Sequence, residues 1–226
     1  MELAPMSLIH HIRPPDGGPS QGKAPAALLL HGWSGDERSM AVFETAFPPG
    51  WWLIRPRGPF PLPGGGYAWF PLHGDGTPDL EAARESLGQL LRLLDELAGR
   101  HPIDPHRWMA VGFSQGGAMA AALALRAPER IAALAVFSGF FLPLPDLEAP
   151  ASLAGRRAFI AHGLRDPLVP VEQSRRLCQR LQALGAETTC LEYPGGHKVD
   201  AGTWRAFRAW LTAMTPSPGS SNRGQG

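Results

Sequence analysis

Residues 111–120 read VGFSQGGAMA, with one serine between glycines where an apolar run meets an alanine-rich stretch. Small residues here could simply let a helix lie close to a sheet. They could also hold Ser114 up on a sharp turn as a nucleophile. The two readings predict different partners elsewhere in the chain. G-x-S-x-G is weak alone among 27 glycines, but here it closes a strand-like run and opens a helix-like one. That is the setting a nucleophile elbow requires, with Gly112 and Gly116 leaving room for the turn.

A hydroxyl needs a base at neutral pH. His197, in EYPGGHKVD after the last strand-like run, is the best placed of the eight histidines. His10 and His11 read as strand or surface residues, and His101 and His106 flank a turn. His31 and His162 each precede a glycine at a strand end and read as turn-shaping. The base in turn needs a carboxylate to hold its tautomer. Asp166 in HGLRDPLVP follows another strand and precedes a helix, whereas Asp200 is too near His197 in sequence and Asp146 lies in a Pro-rich loop. The order Ser114, Asp166, His197 is that of α/β-hydrolases. A tetrahedral intermediate would also need donors. The N–H of Gln115, first in the helix, is one; the N–H of Trp33, in LLLHGWSGDE (28–37), is the second.

Around these residues the chain alternates. Apolar runs at 26–32, 51–56, 107–113, 131–139, 157–163 and 188–196 read as parallel strands buried on both faces. Helical patterns occupy 77–100, 114–127, 171–185 and 201–214; the first has Thr77 as its cap and Gly99 near its end. The fold class expected is α/β: a mostly parallel central sheet with helices on both faces and no large cap domain. Residues 1–214 form one domain in this reading, and 215–226 are a flexible tail. Long loops at 56–76 and 140–156 are expected to shape the site. The apolar pocket is drawn from Trp33, Tyr67, Trp69, Phe70, Phe140, Phe141 and Leu142.

With 226 residues, 44% hydrophobic, 18% charged and a formal net charge of +1, the chain offers no basic patch for nucleic acid or anionic membrane. The N-terminal sequence lacks the apolar core of a signal peptide, and no run reaches transmembrane length. Cys178 and Cys190 show no metal or redox spacing, so the simplest reading is a cytoplasmic protein with free thiols, a disulfide between them being the alternative. Expected are no metal and no cofactor, a small-molecule ester as partner and no stable membrane association. A homodimer is allowed.

LHGWSGDE, GFSQGGAMA, HGLRDPLVP and YPGGHKV together resemble the phospholipase/carboxylesterase family of α/β-hydrolases, which includes bacterial carboxylesterases and acyl-protein thioesterases. The resemblance implies Ser114, Asp166 and His197 as catalytic residues, Trp33 and Gln115 as oxyanion donors, and hydrolysis of carboxylic esters or thioesters without a cofactor. Residues 64–72, GGGYAWFPL, carry Pro71 where thioesterase members carry an acid, which looks more like the bacterial esterase branch. Ser114 argues against dienelactone hydrolases, whose nucleophile is cysteine. Short- to medium-chain esters are the expected substrates. Lysophospholipase or acyl-thioesterase activity on the same residues, and a non-catalytic binding role, stand as alternatives.

Overall fold

A computed structural model describes residues 8–17, 22–147 and 152–214. Its centre is a seven-stranded sheet. In chain order the strands are β1 (His10–Arg13), β2 (Ala24–Leu30), β3 (Trp52–Pro56), β6 (Ile103–Phe113), β7 (Ile131–Phe137), β8 (Arg157–Gly163) and β9 (Glu187–Tyr193), while β4 (Phe60–Pro61) and β5 (Tyr67–Ala68) form a separate hairpin. The spatial order is β1-β3-β2-β6-β7-β8-β9. Only β1 is antiparallel to its neighbour.

Four helices cover the sheet: α1 (Leu80–Arg100), α2 (Gln115–Arg126), α3 (Val171–Ala183) and α4 (Ala201–Met214). On one face α1, α2 and α3 bury Leu87, Leu90, Met119, Leu123, Leu177 and Leu181 against Leu28, Ala110, Val136 and Ile160. On the other, α4 and a short 3-10 helix (Ala41–Ala46) pack Phe207, Leu211 and Phe43 against Leu29, Val111, Phe137 and Phe159. Alternate residues of each strand thus serve opposite cores, which is why β2, β6, β7 and β8 read as unbroken apolar runs. Helix α2 is buried from Gln115 to Leu125, so its alanines and glycines are what let it lie against the sheet.

Some sequence expectations give way. α1 is capped by Asp79, whose side chain accepts the Ala82 N–H at 3.0 Å, and not by Thr77. Thr77 instead donates its hydroxyl to Asp75 at 2.7 Å in a turn before the helix. β9 is not buried on both faces: Thr189 and Cys190 are exposed, because β9 is the sheet edge, where polar residues discourage further pairing. The 56–76 loop contains the β4–β5 hairpin. The expected free thiols are absent, since Cys178 of α3 and Cys190 of β9 are joined in a disulfide. Helix and edge strand lie side by side, which the spacing in sequence does not reveal. The thiol-based argument for a cytoplasmic setting falls with it, because disulfides persist mainly in oxidising compartments. None of the described helices is long and apolar enough to cross a membrane. The expected tail at 215–226 lies outside the described residues.

Candidate active site

The strands β2, β6, β7 and β8 end at one edge of the sheet, and the residues singled out in the sequence gather there. Between β6 and α2, Ser114 has φ 54° and ψ −119°, a conformation that costs a non-glycine residue energy. It is held in place. Its N–H donates to the Phe137 carbonyl at 2.8 Å, and its carbonyl accepts from Ala118 at 3.1 Å. Its hydroxyl is not spent on capping α2. The neighbouring glycines are required by space. A Cβ on Gly116 would overlap the carbonyl oxygens of Leu30 and His31, and one on Gly112 would overlap the carbonyl of Gly116.

Asp166 sits on the turn after β8 with its side chain fully buried. One carboxylate oxygen accepts the N–H groups of Leu168 (2.9 Å) and Val169 (3.0 Å), and the other meets His197 Nδ1 at 2.7 Å. The His197 loop is tied to the Asp166 turn by backbone bonds, Leu164 N–H to the Tyr193 carbonyl and Arg165 N–H to the Gly195 carbonyl, both at 2.8 Å. The His197 ring packs on Phe113, the residue before Ser114, with centroids 4.8 Å apart. The sheet edge therefore brings Asp166 and His197 into direct contact and sets the ring beside the strained turn.

Burial pushes the Asp166 carboxyl up, but the bonds from Val169, His197 and Leu168 outweigh it and hold it below the ordinary aspartate range. The native carboxyl releases its proton more readily than the unfolded one. It therefore adds stability above the unfolded value, and that contribution is lost as pH falls through the lower native value. Thermal denaturation from about pH 5 down to about pH 2 should show a steeper loss of Tm for the wild type than for Asp166→Asn. Parallel slopes would mean these bonds do not favour the charged form.

The two expected oxyanion donors flank Ser114. A Cβ on Gly32 would stand 3.3 Å from the Ser114 Cβ, so the chain entering Trp33 passes alongside the serine. Gln115 opens α2, where first-turn N–H groups have no partner within the helix. Its side chain is buried and otherwise engaged, accepting the Trp69 N–H at 2.7 Å and donating to the Phe70 carbonyl at 2.8 Å. His31 directly follows β2, whereas His162 lies within β8, and each side chain holds a neighbouring loop. His31 accepts the Gly58 N–H at 2.9 Å, and burial lowers its basicity. His162 contacts the Val169 carbonyl at 2.8 Å and the Ser174 hydroxyl at 2.5 Å, and stands 3.4 Å from Asp166.

A cavity of about 1130 Å³ opens beside Ser114. Of the seven aromatic and apolar residues expected to line it, Trp33, Phe140 and Phe141 do; Tyr67, Trp69, Phe70 and Leu142 do not. Trp69 and Phe70 are fully buried, one layer behind, with the Phe70 ring edge-on to Phe140 at 6.5 Å. Leu142 belongs to the core. Tyr67 lies against the Arg57 guanidinium, 4.5 Å from its ring centroid, and Arg57 is paired with Glu37 at 2.6 Å. Missed in the sequence were Leu72, Pro78, Leu168 and one face of α3, including Gln173 and Arg176. That face repeats every three to four residues, but its polar side chains read as solvent-facing. Among the described residues, no group of three or more His, Cys, Asp or Glu could hold a metal ion.

The mostly parallel sheet covered by helices on both faces is that of an α/β-hydrolase, and the comparisons narrow that class. Residues 18–214 match the phospholipase/carboxylesterase family model, and the chain belongs to that family of hydrolases. It is 29% identical over 183 residues, 81% of this chain and 90% of the relative, to MhqD of Bacillus subtilis (strain 168), a hydrolase by name. It is also 29% identical over 164 residues, 69% of this chain and 68% of the relative, to Lysophospholipase-like protein 1 of Mus musculus. Among solved structures, esterase PE8 superposes with a TM-score of 0.83 at 26% identity, covering 93% of this chain and all of that one.

Proposed function

We propose that the protein is a serine carboxylesterase acting on short- to medium-chain carboxylic esters through an acyl-enzyme. Ser114 Oγ attacks the acyl carbon while His197 takes its proton and passes it to the leaving alcohol. Water, deprotonated by His197, then attacks the acyl-enzyme and releases the acid, returning the proton to Ser114. Asp166 keeps His197 in one tautomer and stabilises its cation. The N–H groups of Trp33 and Gln115 receive the oxyanion. The observation that carries this reading is the strained, uncapped Ser114, next in chain to the Phe113 ring on which His197 packs, with His197 bonded to a buried aspartate.

Substrate range follows from the cavity. Its mouth is apolar and open, with Trp33 42% exposed and Leu168 71% exposed. Such walls suit an uncharged chain near the ester. A panel of p-nitrophenyl esters from acetate to palmitate should give the highest kcat/KM between four and about ten acyl carbons. No turnover anywhere in the panel would end the esterase reading. In Trp33→Ala the indole is lost but the backbone donor stays, so the chain-length profile should shift through KM, with kcat falling less than about tenfold. A loss in kcat matching removal of Ser114 would contradict that split.

The second reading is a lysophospholipase or acyl thioesterase on the same residues. It is favoured by the names of relatives, Lysophospholipase-like protein 1 and acyl-protein thioesterase 1 of Gibberella zeae, the latter 33% identical over half of this chain. Relative rates on lysolipid, thioester and simple ester separate the two.

A further inference from the structure

The cavity is longer than an acyl pocket for a small ester needs. Pro170, Gln173, Arg176, Arg180 and Ala183 all line it, a single face running the length of α3. At 1.5 Å per residue that wall is about 20 Å long, and Arg176 stands about 9 Å beyond Pro170. Among the described residues no aspartate or glutamate lines the cavity, and the charged ones that do are Arg176 and Arg180. The Arg180 guanidinium donates to the Leu147 carbonyl at 2.7 Å and lies 4.6 Å from the Phe141 ring centroid, so it serves as part of the wall. Arg176 differs. It is exposed and lines the cavity, and Glu172, one turn before it on α3, is engaged with Arg175 at 3.4 Å.

A guanidinium is charged at every working pH and forks onto carboxylate or phosphate. Exposed beside the apolar walls of the cavity, it offers a cation to the charged end of a ligand. Building on the esterase reading above, we infer that Arg176 is a specificity-determining residue: the preferred ester carries a carboxylate at the far end of its acyl chain, and Arg176 receives it. Phe140 and Phe141 cover the methylene stretch between.

The experiment compares mono-p-nitrophenyl esters of straight-chain dicarboxylic acids, four to ten carbons long, with neutral partners of equal length whose far carboxyl is methylated. The wild type should prefer the acid over its methylated partner by about tenfold in kcat/KM at one chain length, expressed in KM, and 0.5 M salt should shrink that preference. Arg176→Gln should erase it, so that acid and methylated partner are turned over at equal rates at every length; Arg176→Lys should keep part of it. Equal rates on acid and methylated partners at all lengths, or a preference that survives Arg176→Gln, would overturn the assignment. Turnover of the neutral esters that disappears in Ser114→Ala upholds the underlying esterase reading whichever way the charge comparison falls.

Discussion

Ser114→Ala is expected to lower kcat on p-nitrophenyl butyrate by at least about 10,000-fold while the protein stays folded. Loss of the oxygen removes the only atom of the turn able to form the acyl bond. Alanine still fits, since the residue's conformation is set by the Phe137 and Ala118 backbone bonds and the side chain caps nothing. A fluorophosphonate probe should label the wild type on the tryptic fragment holding residue 114 and leave the variant unlabelled. Residual activity within about tenfold of wild type, with an unchanged melting temperature, would refute Ser114 as nucleophile. His197→Ala should match the serine variant closely, because residues that act as a unit do not contribute additively.

Gly116→Ala carries the second large effect, on folding itself. The added methyl would fall on the carbonyl oxygens of Leu30 and His31, in backbone that cannot retreat because both flank the centre of the sheet. α2 must therefore move off β2, opening the core where the helix is buried all round. A cost of more than about 4 kcal/mol is the expected order for such overpacking against main chain. For a domain of this size that means a Tm lowered by at least about 10 °C, or no soluble protein. Gly64→Ala is the control, because a Cβ there meets nothing within 4 Å. Equal melting temperatures for the two variants would show that α2 can slide without penalty.

The sheet and the three polar site residues were legible in the sequence because both depend on short-range signals. β2, β6, β7 and β8 are apolar on both faces and bounded by turns, so their runs stand out. The serine turn, the aspartate turn and the histidine loop each follow such a run, and parallel topology carries all of them to one edge. Cavity walls depend on packing between distant segments, and of the seven residues expected there only Trp33, Phe140 and Phe141 line it. Trp69 and Phe70 look like pocket aromatics, yet Ser86 and Gln115 bind their backbone from behind and draw them into the core. Arg176 looks like one more solvated arginine of an amphipathic helix until it is seen to line the same cavity as Leu72 and Pro78. The disulfide was invisible for the same reason, since only the docking of α3 on β9 brings its sulfurs together.

Gln115 has a consequence for how the enzyme could diversify. Its amide fastens the stretch 69–70 to the start of α2, while its main chain directly follows Ser114. A drift in that aromatic stretch would therefore tug on the serine turn, and α3 has a tether of its own, Ser174 to His162 at 2.5 Å with His162 3.4 Å from Asp166. Changes at Gln173 or Arg176 would leave that contact alone, and relatives with other appetites should vary there first.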